Sequence, residues 1–208
     1  MKYTFSFTSG ALFHNESIKV AKLFIEYHDW DHVQQIVLDQ NLLQRNTRST
    51  SKTIFREIRY RLSALTEKQL QMSIQSDYQV QKSLLFLSVC KYYQFIADFT
   101  TEVLRNKMIM FDPVLTEIDY RRFWDDKLES HPEMEKMTKR TARKVQQVTI
   151  RLLVEAGLLI GKKNNEIVPA MLPVSLEEVI MLDNPKWLKV FLMSDQAILN
   201  AKEKYAAA

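Results

Sequence analysis

Two stretches of this 208-residue sequence gather positive side chains without the acids that usually accompany them. In the first, Arg45, Arg48, Lys52, Arg56, Arg59 and Arg61 are opposed within the stretch only by Glu57, and Ser49 stands among them. In the second, Lys136, Lys139, Arg140, Arg143, Lys144 and Arg151 follow one another with no acid between Lys136 and Arg151, and Lys162 and Lys163 come soon after. An ordinary solvated helix interleaves both signs. Arginine and lysine set beside Ser, Thr, Asn and Gln are instead the side chains that contact phosphate oxygens and base edges. The chemistry implied is the binding of a nucleic acid, and apart from Arg61 and Glu57 all of these residues are candidate contacts.

Other chemistries have less support. His28 and His32 have the i, i+4 spacing of a metal pair, but such a pair needs one continuous helix, and the residues around Trp30 read as a link between two. The neighbouring acids Asp125 and Asp126, and Glu177 and Glu178, point about 100° apart on a helix and read as solvated faces. No Ser, His and Asp arrangement carries the small residues of a nucleophile elbow. Cys90 lies inside an apolar run, where a thiol is a small hydrophobe. Gly10, Gly157 and Gly161 form no phosphate-binding cluster. No catalytic residue, metal site or cofactor is therefore expected. The formal net charge of +4 is mild, so what points to a nucleic acid is where the cations sit.

The elements that must position these residues follow from hydrophobic period and capping. With 46% hydrophobic residues, 3 Gly and 5 Pro, the chain has a core to bury and little material for tight turns, so an all-α fold is expected. Ser83 to Leu104 is apolar on nearly all sides of a helical wheel, which predicts one buried central helix. Lys91, Gln94 and Asp98 interrupt it too often for a membrane span of roughly 20 apolar residues. Before it, helices are expected from Glu16 to His28 with Asn15 as cap, from Asp31 to Gln40, from Lys52 to Leu65 and from Thr66 to Asp77. The first three outline a helix-turn-helix unit. After it, helices are expected from Thr116 to Leu128 and from Glu133 to Ala156, the second closed by Gly157. A hairpin then joins Leu158–Ile160 to Glu166–Val168, so that the basic helix and hairpin resemble the third helix and wing of a winged-helix domain. Tyr3, Phe5 and Phe7 alternate with hydroxyl residues as a half-buried strand or arm does. Two short helices, Ser175 to Leu182 and Pro185 to Met193, end the reading. It gives regions 1–82, 83–173 and 174–208 within one compact unit. The N-terminus lacks the basic and apolar segments of a cleavable signal, which makes the cytoplasm the expected location.

Several spaced segments resemble the BrxA family of BREX bacteriophage-exclusion systems. They are Ser6-Phe7-Thr8-Ser9-Gly10-Ala11-Leu12 with Asn15-Glu16-Ser17, Leu43 with Arg45 and Arg48-Ser49-Thr50, and Arg56-Glu57-Ile58 with Arg61-Leu62. Phe95-Ile96-Ala97-Asp98-Phe99 with Glu102-Val103-Leu104-Arg105, and Glu155-Ala156-Gly157-Leu158-Leu159, complete the set. The resemblance runs from about Tyr3 to Leu172 and includes no catalytic motif. It implies a cytoplasmic, NusB-like helical bundle with helix-turn-helix character and a non-enzymatic, DNA-binding role in host defence. Double-stranded DNA is the expected partner and other BREX components are further ones. The alternatives are a protein interaction subunit of a multi-protein defence complex, or a NusB-like RNA-binding factor.

Overall fold

Residues 2–9, 11–161 and 165–206 are described by the computed structural model, which is mainly helical with one small antiparallel sheet. Its contacts gather into two compact units, Gly10–Tyr92 and Met1–Ser9 with Tyr93–Ala208. The chain thus divides inside the stretch that reads as one central helix, not at 82/83 or 173/174. The cause is Tyr93, whose φ of −109° and ψ of 93° are extended rather than helical. Its ring is fully buried, edge-on to Phe7 at 4.9 Å, and its hydroxyl shares a hydrogen bond with Ser6 Oγ at 2.6 Å. Hydrophobic period reports burial and not backbone continuity, so the apolar run passes through this break unmarked.

The unit Gly10–Tyr92 contains α1 (His14–Tyr27), α2 (Trp30–Asp39), α3 (Arg48–Leu62), α4 (Glu67–Gln75) and α5 (Tyr78–Tyr92). Helix α5 buries every residue from Leu84 to Cys90, and α1, α3 and α4 each pack on it. Helix α2 lies on α1 and α3. Caps fix most of the starts. Asp29 accepts from the N–H groups of Asp31 at 2.8 Å and His32 at 3.2 Å, and Thr66 forms a capping box with Gln69. Two starts differ from expectation. Asn15 lies inside α1, whose cap is Phe13 in the left-handed region at φ 52°. Arg61 holds that turn by donating to the Ala11 carbonyl at 2.6 Å and lying over the Phe13 ring at 5.7 Å. Helix α3 begins a turn earlier than Lys52, because Thr47 Oγ1 accepts from the Thr50 N–H at 3.1 Å. Of the hydroxyl- and arginine-rich segment Gln44 to Ser51, which reads as a loop, Arg48 to Ser51 therefore form the first turn of α3, while Gln44 to Thr47 precede the helix.

The other unit begins with an aromatic arm. Tyr3 and Phe7 are buried while Thr4 and Ser6 are exposed, yet the segment pairs with no strand, and Ser6–Ser9 is a 3-10 turn. The rings of Tyr3 and Phe5 meet Phe95 at 5.4 and 5.1 Å, and Tyr3 Oη donates to Asp98 at 2.6 Å. From Tyr93 the chain continues through α6 (Gln94–Asp98), a π-helical turn (Phe99–Leu104) and α7 (Arg105–Ile109). Next come β1 (Val114–Leu115), α8 (Glu117–Ser130), α9 (Pro132–Glu135), α10 (Lys139–Ala156), β2 (Leu159–Ile160) and β3 (Asn165–Ile167). The expected single helix from Glu133 to Ala156 is split, because Thr138 Oγ1 accepts from the Thr141 N–H at 3.2 Å and starts α10 afresh. Gly157, at φ 80°, ends it as expected. The β2–β3 hairpin stands where the sequence places it, and β1 adds an unforeseen strand, giving the order β1-β3-β2. Val114 faces Glu166, which in turn faces Ile160.

The C-terminal part is α11 (Val174–Asp183), a 3-10 stretch (Pro185–Phe191) and α12 (Asp195–Ala206), the last not expected from the sequence. Arg105, 6% exposed, fastens it by donating to the Met193 carbonyl at 2.7 Å and pairing with Asp195 at 2.8 Å. No helix among the described residues is long and apolar enough to cross a membrane.

Candidate nucleic-acid interface

Helix α10 sorts its residues by chemistry. Val145, Val148, Thr149, Leu152, Leu153 and Ala156 are buried, and Lys139, Arg140, Arg143, Lys144, Gln147 and Arg151 are exposed. The spacing of Arg140, Arg143, Lys144, Gln147 and Arg151 keeps them on one face. Lys139, Arg140, Arg143, Lys144 and Gln147 line one shallow depression. Lys139, Arg140, Arg143 and Lys144 have no acid partner among the described residues, while Arg151 Nε is bound to Glu155 at 2.7 Å. Lys136 is exposed but belongs to the turn between α9 and α10. Lys162 and Lys163, which the sequence puts at the hairpin, lie outside the described residues. A cleft between α8 and α10 joins Arg143 and Gln146 to Arg121, Trp124 and Tyr120. Burial pushes the Tyr120 phenol well above its ordinary value.

The other basic surface is built by α2 and α3. Gln34, Ser49, Lys52, Thr53, Arg56, Arg59 and Tyr60 line one depression of about 330 Å³. Lys52 and Arg56 are exposed and have no acid partner among the described residues. Arg59 Nη1 is held by Asp31 at 3.1 Å and its guanidinium lies over the Trp30 ring at 5.8 Å. Arg48 pairs with Asp39 at 2.9 Å, and Arg45 pairs with Glu16 with its side chain only 31% exposed. Arg61 is interior, bound to Glu57 at 2.6 Å. Folding thus brings Ser49, Lys52, Arg56 and Arg59 together and neutralises Arg45 and Arg48 with acids distant in sequence. Gln34, Thr53 and Tyr60 join the surface without having been expected. Thr53 and Tyr60 share the helical spacing of Ser49, Lys52 and Arg56, so a wheel that counted more than charge finds them, whereas Gln34 comes from another helix and leaves no local signal.

One electrostatic feature marks the starts of the long helices α3 and α10. Helices α1, α2, α4, α8 and α11 each carry an acid in the first turn, where the helix dipole is positive. Helices α3, α5, α6, α7 and α10 carry none, and of those longer than five residues α3 and α10 place cations there, Arg48 in one first turn and Lys139 and Arg140 in the other. A cation there costs about 0.3 to 1 kcal/mol, a cost that a bound anion offsets. His28 and His32 show no such purpose: His28 ends α1 in the left-handed region at φ 51° and His32 sits in the next helix. Among the described residues no three His, Cys, Asp or Glu side chains are grouped to hold a metal ion.

Comparison with known proteins places these surfaces in context. A sequence model of the BrxA family matches residues 1–184. The chain is 28% identical over 165 residues to the BREX protein BrxA of Bacillus cereus, covering 79% of this chain and 80% of that protein. It is 29% identical over 166 residues to the BREX protein BrxA of Paramagnetospirillum magneticum, covering 78% and 81%. The crystal structure of an uncharacterized protein from Magnetospirillum magneticum shares the fold, with a TM-score of 0.80 over 93% of this chain and 99% of that one, at 23% identity. A match that spans most of the chain in sequence, and a fold shared over nearly its whole length, lead to one conclusion: the chain belongs to the BrxA family of BREX proteins.

Proposed function

We propose that this chain is a non-enzymatic, DNA-binding component of a BREX bacteriophage-defence assembly, working in the cytoplasm and gripping duplex DNA by its phosphates. The observation that carries the reading is the acid-free exposed face of α10 from Lys139 to Gln147, whose cations begin at the end of the helix where their own dipole repels them. Sequences keep such local conflicts at functional sites. The surroundings support the same reading. A strand, two helices, the basic helix α10 and a hairpin follow in that order, and the first strand pairs with the last, as in a winged-helix unit. The α2/α3 surface adds cations and neutral donors in the other unit, on the third helix of a helix-turn-helix-like set.

Phosphate contact makes affinity fall with salt, each neutralised phosphate adding about 0.9 to the slope of log K against log salt. The four unpartnered cations of α10 predict a slope of at least about 3 on duplexes of unrelated sequence, with similar affinities for all. A salt titration of a labelled random duplex measures this. Absence of duplex binding at low salt ends the reading.

A second reading, an interaction subunit within the defence complex, is favoured by one observation. Met110 and Phe111 are 76% and 93% exposed, an apolar step at the end of α7 that burial against another protein would remove from water. Other BREX components are the partners this reading names, and RNA is the ligand that a NusB-like bundle would add.

A further inference from the structure

We infer that the α2/α3 surface of the unit Gly10–Tyr92 is a site for unpaired nucleotides, which stack on Tyr60 while their phosphates are held by Lys52 and Arg56. A duplex-binding surface needs only cations and neutral donors. This one also presents an aromatic ring. Tyr60 is 42% exposed and lines the same depression as Lys52, Arg56 and Arg59. It is not a loose surface side chain, because it stacks on Tyr92 with centroids 5.4 Å apart and planes 17° apart. A ring backed by a second ring is a rigid platform, so stacking a base on it orders little more of the protein.

The neighbouring groups complete the chemistry of a nucleotide. Lys52 and Arg56 are free of acids among the described residues and suit phosphate oxygens. Arg59 is already oriented by Asp31 and Trp30, so its planar guanidinium is fixed beside the platform. Gln34, Ser49 and Thr53 supply donors and acceptors for base edges and sugar hydroxyls. Paired bases offer their faces only to each other, so an aromatic platform of this kind selects strands, loops or ends whose bases are unstacked. Unpaired DNA and unpaired RNA share this chemistry. The inference does not depend on duplex binding by α10, because the two surfaces have no residue in common.

The test is fluorescence anisotropy on the full chain with an oligo-dT of about 12 nucleotides, an oligo-U RNA of the same length, an abasic strand of the same length and a blunt duplex. Wild-type protein is expected to bind oligo-dT or oligo-U more tightly than the abasic strand. Tyr60→Ala should weaken the better of the two about tenfold, toward the affinity of the abasic strand, while Tyr60→Phe should bind as wild type does. Lys52→Ala with Arg56→Ala should lower the single-strand salt slope by about 1.4. If DNA and RNA strands differ, the tighter one names the source. The inference is overturned if neither strand binds while the duplex does, if the abasic strand binds equally well, or if a Tyr60→Ala protein with a wild-type melting curve keeps wild-type single-strand affinity.

Discussion

Arg61 shows how a charge that reads as surface becomes structural. It is 2% exposed, paired with Glu57 and bonded to the Ala11 carbonyl, so it joins α3 to the turn that starts α1. Removing its partner leaves a buried cation uncompensated, and Glu57→Ala is expected to cost about 3 to 5 kcal/mol in a urea denaturation. Asp195 works at the surface. The side-chain bonds from Arg105 and then Lys189 hold its carboxyl at about 2, below the ordinary 3.8. A depressed carboxyl stabilises the fold above its unfolded value, and that contribution is lost as pH falls from about 4 through about 2. Asp195→Asn should therefore melt below wild type at neutral pH, with the gap closing by about pH 2. At this scale the sequence shows which residues are charged and hides which are paired. Arg45, Arg48 and Arg59 meet Glu16, Asp39 and Asp31 only because α1, α2 and α3 pack together. Among the described residues no acid is folded toward Lys52 and Arg56.

Local hydrogen-bond chemistry made many element boundaries legible. Thr66 and Thr116 form the capping boxes that their downstream Gln69 and Asp119 allow, and Gly157 ends α10 because it takes φ 80° without a side-chain clash. The boundaries that stayed hidden are tertiary. Tyr93 leaves the helix to meet Phe7 and Ser6, β1 exists only as a partner of β3, and Phe13 caps α1 through Arg61. The burial of Phe95 follows from the apolar stretch Ser83 to Leu104, but its ring partners come from other segments and left no local signal. Phe95, fully buried, touches Tyr3, Phe5, Phe123 and Trp124, and Phe95→Ala should cost about 3 to 5 kcal/mol. A variant melting like wild type would place the core elsewhere. The first turn of α10 yields a sharper expectation, since an acid suits that end of a helix better than a cation. Arg140→Glu should raise thermal stability by up to about 1 kcal/mol while weakening duplex binding. Lower stability in calorimetry would show that Arg140 serves the fold and not a ligand.

At the scale of the whole molecule, each of the two units carries one basic face, on α3 in Gly10–Tyr92 and on α10 in the unit that resumes at Tyr93. The sequence marks both faces as acid-poor runs but offers no sign that they belong to separate units, because the division falls inside an unbroken apolar stretch. The central claim is that α10 touches phosphate, and the most direct measurement is the salt dependence of duplex binding by Arg140→Glu with Arg143→Glu, measured by anisotropy on several unrelated sequences. The expected result is a folded protein whose affinity falls on every duplex alike and whose slope of log K against log salt drops by roughly 2. A folded double variant that kept both the affinity and the slope of wild type would contradict the account and leave the α10 face a solvated surface.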